Sequence, residues 1–187
     1  MKQLINTKEL CKQIRYYGKR SLIWSREETQ NFITNRHFLV RFEEVPKEVL
    51  AALFGVFYKL PEVGETMNCH AGNMVDKAKP INYSNIHQPD QQDIIGEITP
   101  YIRDIGIKQY GRIVKFPSHY SVINEDYLKL ANDDSVPKTK GSSSVAPVYL
   151  ADGNLLVLPY RIVDDKNVLD DIFAGTKDGL FTDSGNH

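Results

Sequence analysis

The pattern of apolar and polar positions is clearest between residues 146 and 163. Two β-prone runs, residues 147–150 (PVYL) and 155–162 (LLVLPYRI), flank the pair Asp152-Gly153. An Asp-Gly pair between such runs is a strong hairpin signal, because glycine adopts positive φ without a steric cost. The second run is almost entirely apolar, which predicts a strand buried on both faces. We therefore expect a hairpin that closes a sheet.

Residues 6–18 are predicted to form a helix whose two ends are both marked in the sequence. Asn6 can cap its first turn, and Glu9 stands at the capping-box position three residues later. Gly18 is a C-terminal stop signal. Apolar residues recur at helical spacing and predict an inner stripe. That stripe is Leu10, Ile14 and Tyr17.

Strands are predicted at residues 21–25 (SLIWS) and 30–42 (QNFITNRHFLVRF). A period of two places every second side chain of the longer run on one face, whereas a break near Asn35-Arg36 would make two strands joined by a tight turn. A second helix is predicted to begin with Pro46 at its first position and to stop before Pro61. The set expected on one face is Phe32, Thr34, Arg36, Phe38, Val40 and Phe42.

The pattern is more broken over the rest of the chain. Residues 61–92 are rich in Gly, Pro, Asn and Gln and predict a long loop or insertion. Isoleucines between positions 94 and 102 have helical spacing, although Pro100 argues against one long helix. The remaining predictions are a strand at 107–116, a short helix capped by Asn124 at 124–132, and a polar loop at 137–144.

These elements predict an α+β protein in which helices pack on a mainly antiparallel sheet. We expect one domain over residues 1–163, with the loop-rich insertion at about 61–92. Residues 164–187 are expected to form an acidic and partly flexible tail. Its carboxylates are a candidate surface for a basic partner: Asp164, Asp165, Asp170 and Asp171.

Charge is unevenly distributed along a chain whose net charge is only −1. Residues 1–60 carry 11 Lys and Arg against 6 Asp and Glu, while the remaining residues carry 12 against 18. This asymmetry suits a polyanion that meets the first part of the protein, or attraction between its two parts. The sequence contains no apolar run long enough for a membrane span, and its two cysteines favour a reducing cytoplasm.

Cations cluster on one side of the first predicted helix. Lys8, Lys12 and Arg15 are spaced at i, i+4 and i+7 and therefore share a face. Lys19 and Arg20 follow the predicted stop. A solvated surface is the ordinary explanation of such a face. The alternative is a helix that meets the phosphates of a nucleic acid or binds another partner through these five side chains.

Three segments resemble the bacterial DNA sliding-clamp family. Residues 33–40 (ITNRHFLV) are similar to a clamp strand-turn-strand segment of the kind A-T-D-G-H-R-L-A, without its Asp-Gly pair. Residues 155–162 resemble the clamp's final segment, of the kind Y-V-I-M-P-V-R-L, and residues 124–128 (NEDYL) resemble the opening of the helix before it. The combination is similar to that of small phage-type proteins. The matched motif positions are Thr34, His37, Pro159 and Arg161.

This resemblance implies a single clamp-like domain. Clamp helices present Lys and Arg to DNA phosphates, and the cations of the first helix suit that role. Glu125 and Asp126 on the later helix would repel DNA, which argues against encirclement of DNA and for a clamp fold reused as a binding module. A single domain would also have to oligomerise to encircle DNA, so a homo-oligomer or an assembly protein joined through sheet edges is a further hypothesis.

Chemistry-bearing residues give no recognisable catalytic motif. Cys69, His70 and His87 are three candidate metal ligands, but adjacent Cys and His point apart on an extended chain, and no CxxC is present. We therefore expect no metal and no cofactor. Ser118-His119, residues 142–144 and His37 could supply nucleophiles or bases, yet the chain has no P-loop, G-x-S-x-G or G-x-G-x-x-G segment.

The function predicted from the sequence is non-enzymatic. We expect a cytoplasmic protein of phage or mobile-element type, in a bacterial host cell, that binds DNA or a host nucleic-acid-processing protein. One alternative is an inhibitor of a bacterial defence nuclease, of the anti-CRISPR type, that occupies the DNA-binding surface of its target. Another is a metal-dependent enzyme that uses the loop containing His70 and His87.

Overall fold

The computed structural model describes residues 4–75, 93–106, 108–132, 134–161 and 169. Within these residues it is an α+β protein in which helices accompany a large antiparallel sheet and a smaller one, as predicted at that level. None of its helices in this part of the chain is long and apolar enough to cross a lipid bilayer. The helices are α1 (Thr7–Tyr17), α2 (Lys47–Phe57) and α3 (Glu125–Leu128), with a 3₁₀ turn at Ala151–Gly153.

The larger sheet has nine described strands in the order β5-β4-β1-β2-β3-β12-β11-β10-β6, and the smaller has the order β7-β8-β9. Every described pair of neighbouring strands is antiparallel. The strands are β1 (Ser21–Arg26), β2 (Asn31–Thr34), β3 (Phe38–Phe42), β4 (Thr66–His70), β5 (Asn73–Val75), β6 (Ile94–Ile95), β7 (Glu97–Gly106), β8 (Gln109–Lys115), β9 (Tyr120–Asn124), β10 (Lys138–Thr139), β11 (Val148–Leu150) and β12 (Leu155–Val157).

Alternate side chains of the nine-stranded sheet form one core with the inner faces of α1 and α2. Leu22 and Trp24 of β1 and Leu155 and Val157 of β12 belong to this core. Leu53 of α2 joins it with no exposed surface. Because side chains alternate along a strand, this single buried set fixes the register of the whole sheet.

The hairpin predicted within residues 146–163 is confirmed as β11 and β12, but its second strand is shorter than predicted, and its position and burial differ from the prediction. β12 pairs with β3 on one side and with β11 on the other, so the hairpin lies inside the sheet and does not close it. Leu155 and Val157 are fully buried while Leu156 is partly exposed and Leu158 is exposed. The apolar run therefore alternates, because only one face of this strand meets the helix-packed core.

The break near Asn35-Arg36 is real and overturns the common face predicted for residues 30–42. β2 and β3 pair so that Thr34 lies opposite Leu39 and Phe32 opposite Arg41. Three residues separate the strands, and Arg36 at φ 75° reverses the chain. Phe38 and Val40 consequently belong to the main core, whereas Phe32 packs with Leu39 on the opposite face.

Two further segments have a structure that their sequence pattern did not indicate. Part of the predicted insertion is regular, since β4 pairs with β1 over five positions and β5 pairs with β4; residues 76–92 lie outside the described part. The isoleucines near Pro100 lie on β6 and β7 and not on a helix. Pro100 falls where the β7–β8 register shifts between Ile98 and Ile102, the kind of irregularity at which a strand tolerates proline.

The three shorter predictions between residues 107 and 144 hold in part. β8 agrees with the strand predicted at 107–116, and Asn124 caps α3 by accepting a hydrogen bond from the Asp126 N–H at 2.9 Å. α3 itself ends at Leu128, four residues before the predicted end. The predicted polar loop at 137–144 contributes β10, whose Lys138 pairs with both Ile95 and Tyr149.

The boundaries of α1 agree with the prediction, although the reasons differ at both ends. Asn6 Oδ1 accepts the Glu9 N–H at 3.2 Å, as a cap should. The Asn6 N–H donates to the Leu130 carbonyl at 2.8 Å, and the Glu9 carboxylate pairs with Lys12, so the capping box is not closed. Gly18 has a right-handed φ of −56°, which any residue can adopt. Glycine is therefore not needed at this position for its backbone conformation.

Gly18 allows α1 to approach α2 closely. A Cβ at this position would lie 2.6 Å from Cγ2 of Val56 and 3.0 Å from the Ile14 carbonyl oxygen. Valine in a helix has little rotational freedom, so it cannot move aside cheaply. The close contact sets the spacing of the two helices at the end of α1 where the cations lie.

A pair of glycine variants tests this packing. Gly18→Ala should lower the free energy of unfolding by about 1–3 kcal/mol, because it overpacks the α1–α2 contact. Gly55→Ala in α2 is the matched control: a Cβ there meets nothing within 4 Å, and we expect a gain of up to about 1 kcal/mol from helix propensity. Urea denaturation measures both, and a Gly18→Ala protein as stable as the wild type would contradict the packing.

Candidate functional site

The five predicted cations all lie exposed on or just after α1. We call Lys8, Lys12, Arg15, Lys19 and Arg20 the cationic face. The burial of Leu10 and Ile14 turns the opposite side of the helix inward. From Lys8 to Arg15 the helix rises by about 10 Å, so the face extends over several phosphates of a nucleic-acid strand.

Most of this positive charge is not neutralised within the described part of the chain. Lys12 forms an ion pair with Glu9 at 2.6 Å. The Arg20 guanidinium lies 4.3 Å from the centroid of the Tyr16 ring, a cation–π contact that keeps its charge. Lys8, Arg15 and Lys19 have no ion pair with any described residue. The face can therefore bind anions without first breaking internal contacts at these three positions.

Strand β4 holds the segment that carries Lys19 and Arg20. The Ala71 N–H donates to the Arg20 carbonyl at 2.8 Å, immediately beyond the β1–β4 pairing. The Cys69 thiol donates to the Gly18 carbonyl at 3.1 Å. Burial raises the pKa of this thiol, which keeps it protonated as a donor. These contacts fix the backbone just after α1, although the side chains of both cations project into solvent.

Asn35 organises a buried hydrogen-bond network at the other side of α1. Its Oδ1 accepts the N–H groups of His37 and Phe38, each at 2.9 Å. Its Nδ2 donates to the Tyr127 hydroxyl at 2.9 Å, and that hydroxyl lies 2.7 Å from the hydroxyl of Tyr17. One amide thereby joins the β2–β3 turn, α3 and α1.

The two tyrosines of this network serve as structure and not as proton carriers near neutral pH. Burial raises the pKa of both Tyr17 and Tyr127, and the hydrogen bond from Tyr17 raises that of Tyr127 further. Both phenols are therefore neutral and able to donate. Their rings also pack against Phe38, with centroids 6.1 and 5.2 Å away, which anchors the last turn of α1.

An open groove borders the cationic face. It lies between the end of α1, the outer side of α2 and the β4–β5 turn, and its volume is about 610 Å³. Arg15 and Lys19 supply its charged side, and Tyr58 stands at the end of α2. The sequence reasoning missed this groove, because it depends on the packing of α1 against α2 through Gly18.

The acidic residues of α3 are paired. Arg112 makes a two-pronged contact with Glu125, with Nε to Oε2 at 2.8 Å and Nη2 to Oε1 at 2.5 Å. Asp126 is paired with Lys129 at 2.7 Å. The expected repulsion of DNA by Glu125 and Asp126 is consequently offset by a cation beside each carboxylate.

The candidate metal ligands do not converge in the described structure. Cys69 is buried in the main core, while the neighbouring His70 is exposed on the other face of β4. His87 lies outside the described residues. Among the residues that are described, no group of three or more His, Cys, Asp and Glu could hold a metal ion.

The candidate nucleophiles and bases are similarly dispersed. His37 is exposed at the β2–β3 turn, and Ser142 and Ser143 are exposed in the loop before β11. His119 is only 7% exposed and stacks on Phe116 with ring centroids 4.9 Å apart. Its Nδ1 lies 3.2 Å from the Ser118 hydroxyl, but its Nε2 is buried without a hydrogen-bond partner. No acid that could orient this imidazole contacts it within the described residues.

His119 should make stability depend on pH. Burial lowers the pKa of its imidazole in the folded state, so the unfolded state binds the proton more readily. The stability due to the neutral form is present above the unfolded pKa of about 6.5 and is lost as the pH falls below it. His119→Phe keeps the stacking and removes this proton uptake. Thermal unfolding from pH 8 to pH 5 should therefore show a smaller loss of stability for the variant, and parallel curves would contradict this account.

The four predicted partner-binding carboxylates belong to the acidic segment after residue 163. Asp164, Asp165, Asp170 and Asp171 lie outside the described residues, although Leu169 between them is buried with Ile113 and Val122. Comparisons of this chain with protein-family models, with curated proteins and with solved structures found no match.

Proposed function

We propose that this protein is a non-enzymatic, cytoplasmic binding module that holds nucleic acid through the cationic face of α1. The single observation that carries the proposal is the exposure of all five cations on or just after α1, three of them without an ion pair to a described residue. Counter-ion release drives binding of such a face to phosphates. β4 holds the backbone at Arg20, and Tyr127 of α3 anchors the side chain of Tyr17 in the last turn of α1, so both ends of this segment are held in place.

The order of the elements supports a clamp-like interpretation of the scaffold. α1 is followed by β1, β2 and β3, and α3 is followed by β10, β11 and β12. In the sheet these two sets meet at the β3–β12 pair, in the mirrored order β1-β2-β3-β12-β11-β10. We propose that the chain uses two such helix-and-strand units as a single domain similar to that of a sliding clamp, with its helices on the nucleic-acid side.

A direct titration tests the proposed function. A fluorescein-labelled DNA duplex is mixed with the full chain at about 50 mM salt, and fluorescence anisotropy is recorded. We expect saturable binding with a dissociation constant on the order of micromolar or tighter, as for sequence-independent phosphate binding. A flat anisotropy curve would contradict the proposal and favour a protein partner. The inhibitor hypothesis depends on carboxylates that lie outside the described residues, and no observation favours it here.

A further inference from the structure

The groove beside the cationic face combines two cations with small residues and one aromatic side chain. Its charged side carries Arg15 and Lys19, its floor includes Gly18 and Gly55, and Tyr58 stands at its end. A volume of about 610 Å³ is within the range of small-ligand sites. It therefore has room for a group of the size of a nucleotide beside a charged backbone.

Gly55 keeps the groove open without being needed for packing. It lies inside α2, where glycine costs about 1 kcal/mol relative to alanine. A Cβ at Gly55 would meet nothing within 4 Å, in contrast to Gly18, whose Cβ would strike Val56. A larger side chain at Gly55 would thus project into free space above α2 and fill the groove, while the fold stays intact.

Tyr58 presents an exposed aromatic ring on a backbone that is held in place. Its side chain is 74% exposed, and its backbone takes the left-handed conformation, with φ 58°, that ends α2. Its N–H donates to the Phe54 carbonyl at 2.9 Å, which holds the residue in place. Tyr16 already carries the Arg20 guanidinium over its ring, whereas no ring or cation lies against Tyr58 among the described residues. One aromatic face is consequently available for stacking.

These features favour an unpaired nucleotide as the occupant. Arg15 and Lys19 are complementary to an anionic chain. Proteins that bind single-stranded nucleic acid combine such cations, which contact the backbone, with an exposed aromatic ring on which a base stacks. A duplex keeps its bases stacked on one another, so it offers phosphates and the groove edges of its bases but no free base face to a ring. An acidic peptide would match the charges but would gain little from a ring that stands alone.

We propose that this groove binds single-stranded nucleic acid, with phosphates against Arg15 and Lys19 and one base stacked on Tyr58. The inference rests on the proposed function and adds a substrate class to it. It makes the protein a binder of single-stranded or locally opened nucleic acid. Duplex DNA would then use the cationic face alone.

The test compares an oligothymidylate of about 15 nucleotides, a length that suits such sites, with a duplex on the full chain. Tyr58→Ala removes the aromatic ring, and Gly55→Leu fills the groove. Each should weaken binding of the single strand roughly tenfold or more and leave duplex affinity unchanged, because the cations of the cationic face are kept. Tyr58→Phe keeps the ring and should bind the single strand like the wild type. Circular dichroism shows that each variant is folded.

The possible failures are distinguishable. Unchanged single-strand affinity in Tyr58→Ala and Gly55→Leu, with duplex binding intact, would overturn the groove assignment and leave the proposed function standing. Absence of binding to either DNA would overturn both. A third outcome concerns competition for the bound oligothymidylate. If an oligo-glutamate of the same charge displaced it as effectively as unlabelled oligothymidylate at the same concentration, the base-stacking site would be overturned and the groove would be assigned to acidic peptides.

Discussion

Asn35→Ala is expected to lower the free energy of unfolding by about 3 kcal/mol, the largest stability effect that we predict for one polar side chain. Asn35 is 4% exposed and its amide makes three hydrogen bonds. Alanine would leave the N–H groups of His37 and Phe38 without a partner in a place that water does not reach easily. Urea denaturation followed by circular dichroism measures the change.

Tyr127→Phe is the matched control for that prediction. It removes one hydroxyl from the same network and leaves the β2–β3 turn intact, so we expect a loss of only about 1 kcal/mol. The double variant should lose less than the sum of the two changes, because both remove the same Asn35–Tyr127 bond. An Asn35→Ala protein no less stable than Tyr127→Phe would show that the turn does not depend on this amide.

Removal of four cations from α1 should weaken duplex binding by about 100-fold or more at 50 mM salt, because each phosphate that no longer meets a cation retains its counter-ion. The variant is Lys8→Ala, Lys12→Ala, Arg15→Ala and Lys19→Ala combined. All four side chains are exposed, so folding should be unaffected. Fluorescence anisotropy with the labelled duplex gives the affinity.

A variant with the same net charge controls for general electrostatic attraction. It replaces four cations on other elements with alanine: Lys108, Lys138, Lys140 and Arg161. We expect this protein to bind the duplex within about threefold of the wild type, since distant charges are screened at this ionic strength. Equal losses in the two variants would mean that binding follows net charge and not the cationic face.

Local signals in the sequence were sufficient where an element depends on its own residues. The spacing of Leu10 and Ile14 and the cap at Asn6 predicted α1 within one residue at either end, and the cations of its outer side followed from the same periodicity. Asn35-Arg36 gave the position of a turn, and Asp152-Gly153 gave a hairpin. In each case the residues that determine the local backbone conformation lie within a few positions of the element that they form.

Features that depend on distant partners were not accessible in this way. The isoleucines at 94–102 have helical spacing, yet pairing with β8 and β10 makes them strands. Gly18 resembles a glycine that ends a helix through its backbone conformation. It is needed instead because a side chain there would collide with Val56, which is far along the chain. The groove next to Arg15 and Lys19 exists only because α1 and α2 pack in that way. Glu125 appeared repulsive in the sequence because its partner Arg112 lies on a different element, strand β8.

The dependence of duplex affinity on salt tests the central claim most directly. If the four or five cations of α1 each contact one phosphate, a plot of log K against log salt concentration should have a slope of about −4. Affinity would then fall on the order of 200-fold between 50 and 200 mM salt. A slope near zero, or no binding of DNA at the lower salt concentration, would contradict a phosphate-binding role for the cationic face.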